Sequence, residues 1–208
     1  MTWQHPFPKN TITSRFGAKE SFRSNPHRGV DYAPGAKALI PAITDAVVTK
    51  IFFSKVLGWV CEIKSDEHGL YIGHSHLYCN KHDTIDCDGK DHDGDTCMKR
   101  LKVGDRVKRG QPVGRVASSG WSTGPHLHLT MSKQSDPRYA KVFDPEKFID
   151  QKIKKQERLA KKAKKTEVTE KPQKPEQTVP DVTTPDKAQN PPKSVLEALR
   201  VIMAWFNK

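Results

Sequence analysis

The sequence predicts a mostly β domain built on antiparallel sheet, either a sandwich or an open barrel. Residues 1–150 contain short apolar runs that alternate or are rich in β-branched residues, with Gly, Pro and Asn between them. Helical periodicity is nearly absent before Asp144. Many short strands separated by turn signals are typical of antiparallel architectures.

Five segments carry the strand pattern. In chain order they read AVVTKIFF, WVCEIK, GLYIGH, QPVGRVA and HLHLTMS, and they cover residues 46–53, 59–64, 69–74, 111–117 and 126–132. The first two are rich in β-branched and aromatic residues, which favour strands. The third and fourth include glycines of the kind that mark bulges and turns. The last alternates strictly, so that its two histidines share one face.

The chain changes character after residue 150. Residues 151–165 are rich in helix formers with a thin apolar stripe, which indicates a solvated helix or a disordered basic arm. Residues 166–193 have the Pro, Lys, Glu, Thr and Gln composition of a disordered linker. We therefore expect a folded domain over 1–150, a basic helix and linker over 151–193, and a terminal segment over 194–208.

The terminal segment SVLEALRVIMAWFNK predicts a short amphipathic helix. Ser194 and Glu197 form a capping box. Such a helix is too short to be stable alone in water, so it must contact a surface, its own domain or another copy of the chain. Its apolar face comprises Val195, Leu196, Leu199, Ile202, Met203, Trp205 and Phe206.

The net charge of +12 predicts an anionic partner, such as wall polymer, an envelope surface or nucleic acid. Residues 151–193 contribute half of this charge, with twelve basic residues against six acids. Nucleic acid is disfavoured because the lysine cluster at 161–165 has no interleaved aromatic residues. The start MTWQHPFPKN lacks the pattern of a signal peptide, which predicts synthesis in a cytoplasm without export by a leader of its own.

Three separated segments carry histidines in a pattern that indicates a metal site. They are HRGVD at 27–31, HSHL at 74–77 and HLHL at 126–129. A single histidine in a strand is usually a surface or core residue, but three such segments together are hard to obtain by chance. In an extended chain His27 and Asp31 project to one side, as do His126 and His128. Two imidazoles and a carboxylate suit tetrahedral zinc (Zn2+) with one position left open.

The chain resembles the lysostaphin-type zinc metallopeptidases, the peptidoglycan endopeptidases with the LytM fold. The resemblance covers about residues 5–150 and rests on four stretches in the family's order. These are TITSRFG at 11–17, HRGVD at 27–31, VGDRVKRGQ at 103–111 and STGPHLH at 122–128.

The resemblance implies roles for individual residues. His27, Asp31 and His128 correspond to the zinc ligands, and His126 corresponds to a catalytic histidine. The family's second catalytic histidine precedes a leucine, which matches His76. His74 competes for this role, because the family's Tyr-x-His-Leu pattern is altered here and a regular strand would place both histidines on one face.

These roles imply a zinc metalloendopeptidase that hydrolyses peptide bonds of bacterial peptidoglycan. The zinc would lower the pKa of a water, with His126 as general base and His76 in an assisting role. A chain of this layout resembles phage lysins made in the host cytoplasm and acting on the cell wall. The alternative is an inactive wall-binding regulator or virion structural protein with the same fold.

A long acidic insertion at 78–101 departs from the family pattern. Two glycines and a set of aspartates indicate a hard-cation loop that would bind calcium (Ca2+), against a merely solvated acidic loop. Cys87 and Cys97 bracket it and could form a disulfide, with Cys79 as a competing partner. A second zinc held by cysteine and histidine is a further alternative, and Cys61 reads as a buried small hydrophobe. The aspartates are Asp86, Asp88, Asp91, Asp93 and Asp95.

Overall fold

The computed structural model describes residues 2–21, 24–78 and 101–169, with side chains up to residue 165. All of these lie in one compact unit, Met1–Thr169. The acidic loop with its three cysteines, most of the predicted linker and the predicted helix at 194–208 lie outside the described residues, and so do the calcium and disulfide expectations.

The described chain forms ten strands, a 3-10 turn at Lys9–Thr11 and one α-helix. The helix, α1, is Pro145–Thr169. The strands are β1 Ile12–Ser14, β2 Val30–Tyr32, β3 Leu39–Pro41, β4 Ala46–Ser54, β5 Gly58–Ser65, β6 Tyr71–Leu77, β7 Arg106–Val107, β8 Pro112–Arg115, β9 Leu127–Ser132 and β10 Val142–Phe143.

An open antiparallel sheet organises the fold. Its strand order is β1-β2-β9-β6-β5-β4-β7, and β10 extends the pairing of β9 beyond the end of β2. Strands β3 and β8 form a separate antiparallel pair. The prediction of a mostly antiparallel β domain is confirmed, and the sheet is open rather than closed. The five predicted segments correspond to β4, β5, β6, β8 and β9.

The hydrophobic core consists of the inward side chains of these strands. Ile63, Ile72 and Leu129 come from three neighbouring strands and are fully buried. Burying an aliphatic side chain of this size stabilises the fold by about 1.5–3 kcal/mol. The central strands therefore form a rigid support for whatever their other face carries.

Helix α1 is held to the sheet domain by the N-terminal segment. The indole of Trp3 packs edge-on against Phe148, and its backbone exchanges hydrogen bonds with the Gln156 side chain. From Glu157 to Lys165 the side chains of the helix are exposed. The solvated-helix alternative for residues 151–165 is therefore the observed one. Within the described residues, no helix has the length and apolarity needed to cross a membrane.

Candidate metal centre and catalytic groove

Two paired strands bring three candidate ligands together. Asp31 on β2 lies directly opposite His128 on β9, and His27 stands in the chain just before β2. The Oδ1 atom of Asp31 lies 3.1 Å from Nε2 of His27 and 2.8 Å from Nδ1 of His128. The two imidazole nitrogens are 3.0 Å apart. All three residues are buried, so their polar atoms face one another rather than water.

The ring of His27 is oriented by the strand that precedes it. Its Nδ1 lies 3.1 Å from the carbonyl oxygen of Arg15 and 2.8 Å from Oγ of Ser14. A proton on Nδ1 is donated to that carbonyl, which leaves Nε2 as the ring atom that faces Asp31 and His128, where a bound metal ion would take its lone pair. Outer contacts of this kind fix the tautomer of metal-binding histidines.

His128 is positioned by a close approach of the backbone. A Cβ built on Gly29 would lie 2.4 Å from the carbonyl oxygen of Leu129 and 2.7 Å from Cε1 of His128. Any side chain at position 29 would therefore push against the ring of His128. This steric constraint explains the glycine between His27 and Asp31.

The electrostatics of the cluster keep its members in ligand form. Burial raises the pKa of Asp31, but the hydrogen bonds and charges of His128 and His27 outweigh burial and hold the pKa well below its usual range. Burial lowers the pKa of His128. A carboxylate and a neutral imidazole are the forms that bind zinc.

The geometry of these atoms fits zinc. Ligands at about 2.0 Å from a tetrahedral ion lie about 3.3 Å from one another. The three observed separations, 2.8–3.1 Å, come within about half an ångström of that value. Two nitrogens and one oxygen are also the donor set that suits zinc with an open fourth position.

Two further histidines stand beside this cluster. His126 donates Nδ1–H to the carbonyl oxygen of Gly124 at 2.8 Å, and its Nε2 lies 3.8 Å from Oδ1 of Asp31. His76 donates Nδ1–H to the carbonyl oxygen of Ser119 at 2.7 Å. The centroids of the two imidazole rings are 4.5 Å apart. Each therefore presents an Nε2 lone pair to the same space.

The two rings differ in their surroundings. Burial, reinforced by the neighbouring His126 and His128, lowers the pKa of His76 to about 3. His76 is therefore neutral at pH 7. The side chain of His126 remains 15% exposed, which leaves it open to a proton donor arriving from the groove.

The expectation that His74 shares a face with His76 is wrong. Ser75 lies directly opposite His128 in the ladder and shares its face, so regular alternation would turn both neighbours away. His76 escapes this rule because its φ of 60° bends the strand and turns its side chain to the metal cluster. His74 stays in the core, where its Nδ1–H is donated to the carbonyl oxygen of Cys61. Burial lowers the pKa of His74 to about 4.

The histidines line a groove of about 680 Å³. Four segments, residues 24–28, 53–57, 121–123 and 137–139, and Thr130 complete its lining. The guanidinium of Arg28 bonds to the backbone of the 137–139 segment, and the Trp121 amide donates to the carbonyl oxygen of Val56. We call this space the catalytic groove.

Sequence reasoning did not find the residue that orients His76. This residue is Ser119, whose carbonyl oxygen accepts the hydrogen bond from His76. Its Oγ accepts a hydrogen bond from the Trp59 amide at 3.0 Å and donates one to the carbonyl oxygen of Leu77 at 2.9 Å. It is 1% exposed. A backbone carbonyl has no sequence signature; the signal that could have pointed to this place is Gly58, where a Cβ would lie 2.2 Å from the carbonyl oxygen of Ser119.

Comparisons with known proteins agree with this geometry. The model of Peptidase family M23 matches residues 95–140, which include His126 and His128. A solved catalytic domain, a mutant form of the prophage-encoded M23 protein EnpA from Enterococcus faecalis, is 30% identical with a TM-score of 0.51. The similarity covers 67% of this chain and 92% of that domain. The chain belongs to peptidase family M23.

Two curated proteins are similar to part of this chain without matching along their full length. The peptidoglycan DD-endopeptidase ShyC of Vibrio cholerae serotype O1 is 32% identical over 102 residues, which make up 49% of this chain and 19% of ShyC. The glycyl-glycine endopeptidase ALE-1 of Staphylococcus capitis is 31% identical over 105 residues, 50% of this chain and 24% of ALE-1. The chain thus spans a quarter or less of the length of either.

Proposed function

We propose that this chain is a zinc-dependent endopeptidase that hydrolyses a peptide bond of bacterial peptidoglycan. The observation that carries the proposal is the convergence of His27 Nε2, Asp31 Oδ1 and His128 Nδ1 on one point beside two free imidazole nitrogens. The similarity to two named cell-wall endopeptidases supports the choice of substrate.

The metal ion and the two histidines beside its site have separate roles in this reaction. Zinc, when bound, supplies a Lewis acid that polarises a carbonyl and lowers the pKa of water. His126 accepts a proton from the attacking water on Nε2 and passes it to the leaving amine. His76, fixed by Ser119 and neutral at pH 7, orients the reacting groups through its own Nε2. Positioned groups of this kind contribute about 10²–10⁴ in rate.

The likeness to a prophage-encoded M23 protein supports a role as a phage lysin acting at the cell wall. The presence of both His76 and His126 favours hydrolysis over an inactive wall-binding scaffold. In the second case the chain would bind walls and zinc but release no peptide.

The experiment combines metal analysis with release of soluble muropeptides from purified cell walls. Asp31→Ala should lose both zinc and hydrolysis, because a site with three protein ligands does not stay tight with two. Asp66→Ala, which removes a surface carboxylate paired with Arg106, is the matched control and should keep both. Stoichiometric zinc in Asp31→Ala would refute the ligand assignment. Full zinc without any muropeptide release by the parent would establish the scaffold alternative.

A further inference from the structure

The catalytic groove is one-sided in charge. Three cationic side chains line it, Arg28, Lys55 and Arg138, and no carboxylate does so among the described residues. Asp31 lies beneath the lining, 4% exposed and engaged by His27 and His128. An incoming substrate therefore meets positive charge around the histidines.

Lys55 stands at the tip of the turn between β4 and β5. It is exposed and lines the groove, so its ammonium group can meet a ligand there. The apolar Val56 beside it is 57% exposed, and its carbonyl oxygen accepts the Trp121 amide. The turn thus presents one exposed cation on an anchored backbone.

The guanidinium groups of Arg28 and Arg138 are held in place by hydrogen bonds. Arg28 donates to the carbonyl oxygens of Arg138, at 3.0 Å, and Ala140, at 2.6 Å. Both acceptors are neutral, so the full charge of Arg28 remains. Arg138 forms a two-pronged pair with Asp136, and its guanidinium lies 4.4 Å from the Phe52 ring centre. Fixed guanidinium groups recognise carboxylates with less loss of side-chain freedom than lysine does.

A buried carboxylate supports the loop that carries Arg138. Glu62, 1% exposed, accepts from Ser135 Oγ at 2.7 Å and from the Asp136 amide at 2.6 Å. Asp136 in turn contacts both Arg138 and, at 3.4 Å, Lys50. Asp136 thus faces both Arg138 and Lys50, and the loop holds the Arg138 guanidinium in position at the groove.

We infer that the catalytic groove selects peptides bearing free carboxylates near the scissile bond, such as stem peptides, over neutral glycine bridges. The inference rests on the proposed function and narrows its substrate class. A glycine bridge offers neither a charge nor a side chain to these cations, whereas a carboxylate would be attracted electrostatically to each of them. Since all three cations are exposed, the preference should weaken as salt is added.

The test compares one stem peptide with free side carboxylates and the same peptide with those groups converted to amides. We expect the parent to favour the acid form by on the order of tenfold in kcat/KM, since each exposed charge pair contributes about 0.2–1 kcal/mol. Lys55→Gln should reduce this ratio about two- to fivefold, and Lys55→Glu should reduce it further. Lys154→Gln removes one exposed charge from α1, outside the groove, and should leave the ratio unchanged.

Binding of the same two peptides to Asp31→Asn, measured by calorimetry, separates this inference from the proposed function. Preferential binding of the acid form, without hydrolysis of either peptide by the parent, would uphold the inference while the proposed function fails. Equal affinity for both forms would overturn the inference, whether or not hydrolysis occurs. Equal loss of preference in Lys55→Gln and Lys154→Gln would also overturn it, because the effect would then be one of net charge.

Discussion

Replacing His74 by Gln should make the free energy of unfolding depend less on pH below about 6.5, without abolishing hydrolysis. The folded-state pKa of His74 is about 4, against 6.5 for an exposed histidine, because burial disfavours its charged form. The unfolded chain therefore binds more protons, and stability falls as the pH drops below 6.5 toward 4. The full difference corresponds to about 3 kcal/mol, of which about 2 kcal/mol is already lost at about pH 5.

The assay is urea unfolding at about pH 7.5 and about pH 5, with a chelator present so that metal linkage is absent from both proteins. Glutamine does not titrate, yet its amide can still donate to the carbonyl oxygen of Cys61. We expect the parent to lose about 2 kcal/mol more than His74→Gln between the two pH values. Other histidines titrate in both proteins, so they cancel in this difference.

Parallel pH profiles for the two proteins would refute the reasoning, since they would mean that His74 is not held neutral in the core. The same variant also separates the two histidines of β6. His74→Gln should retain muropeptide release at about pH 7.5. If His74→Gln instead lost this release while His76→Ala retained it, the roles of the two histidines would have to be exchanged.

Replacing His126 or His76 by Ala should leave zinc content unchanged and lower kcat by about two to four orders of magnitude, as shown by metal analysis beside muropeptide release; loss of zinc would make either residue a ligand. Gly29→Ala should weaken zinc binding about 10- to 100-fold in a chelator competition, because the new methyl group displaces the ring of His128; unchanged affinity would show that the backbone yields. Ser119→Ala removes a buried hydroxyl with two backbone partners and should cost about 1–3 kcal/mol in urea unfolding; a smaller loss would mean that water replaces the hydroxyl.

Strand geometry predicted that His27 converges with Asp31 and His126 with His128, whereas the choice of ligands among them came from the resemblance to the family. His126 and His128 are two residues apart in the segment that forms β9, and both reach the groove. Asp31 could be grouped with them, but its direct pairing with His128 could not be foreseen, since β2 has only three residues. Strands of two or three residues carry too few positions for a pattern to register.

Two features escaped prediction for different physical reasons. The alternation rule assigned His74 and His76 to one face, and it failed because a positive φ at a non-glycine residue is uncommon and has no sequence marker. Glu62 was passed over within the apolar run WVCEIK. An acid in such a run is itself a signal of a buried carboxylate that requires several hydrogen-bond donors. Here the donors are Thr49 on the neighbouring strand β4 and Ser135 and Asp136, which lie more than 70 positions away in the sequence.

The location of the histidines has a consequence for how the sequence of this protein can evolve. His128 stands on β9 and His76 on β6, and each of these strands is paired on both sides within the sheet. The cations that face the substrate stand instead on turns and loops, which tolerate replacement and altered length far better than interior strands do. Mutations in these turns and loops can therefore alter which ligands the groove accepts while His128 and His76 stay in place, so that binding preference can change separately from the metal centre.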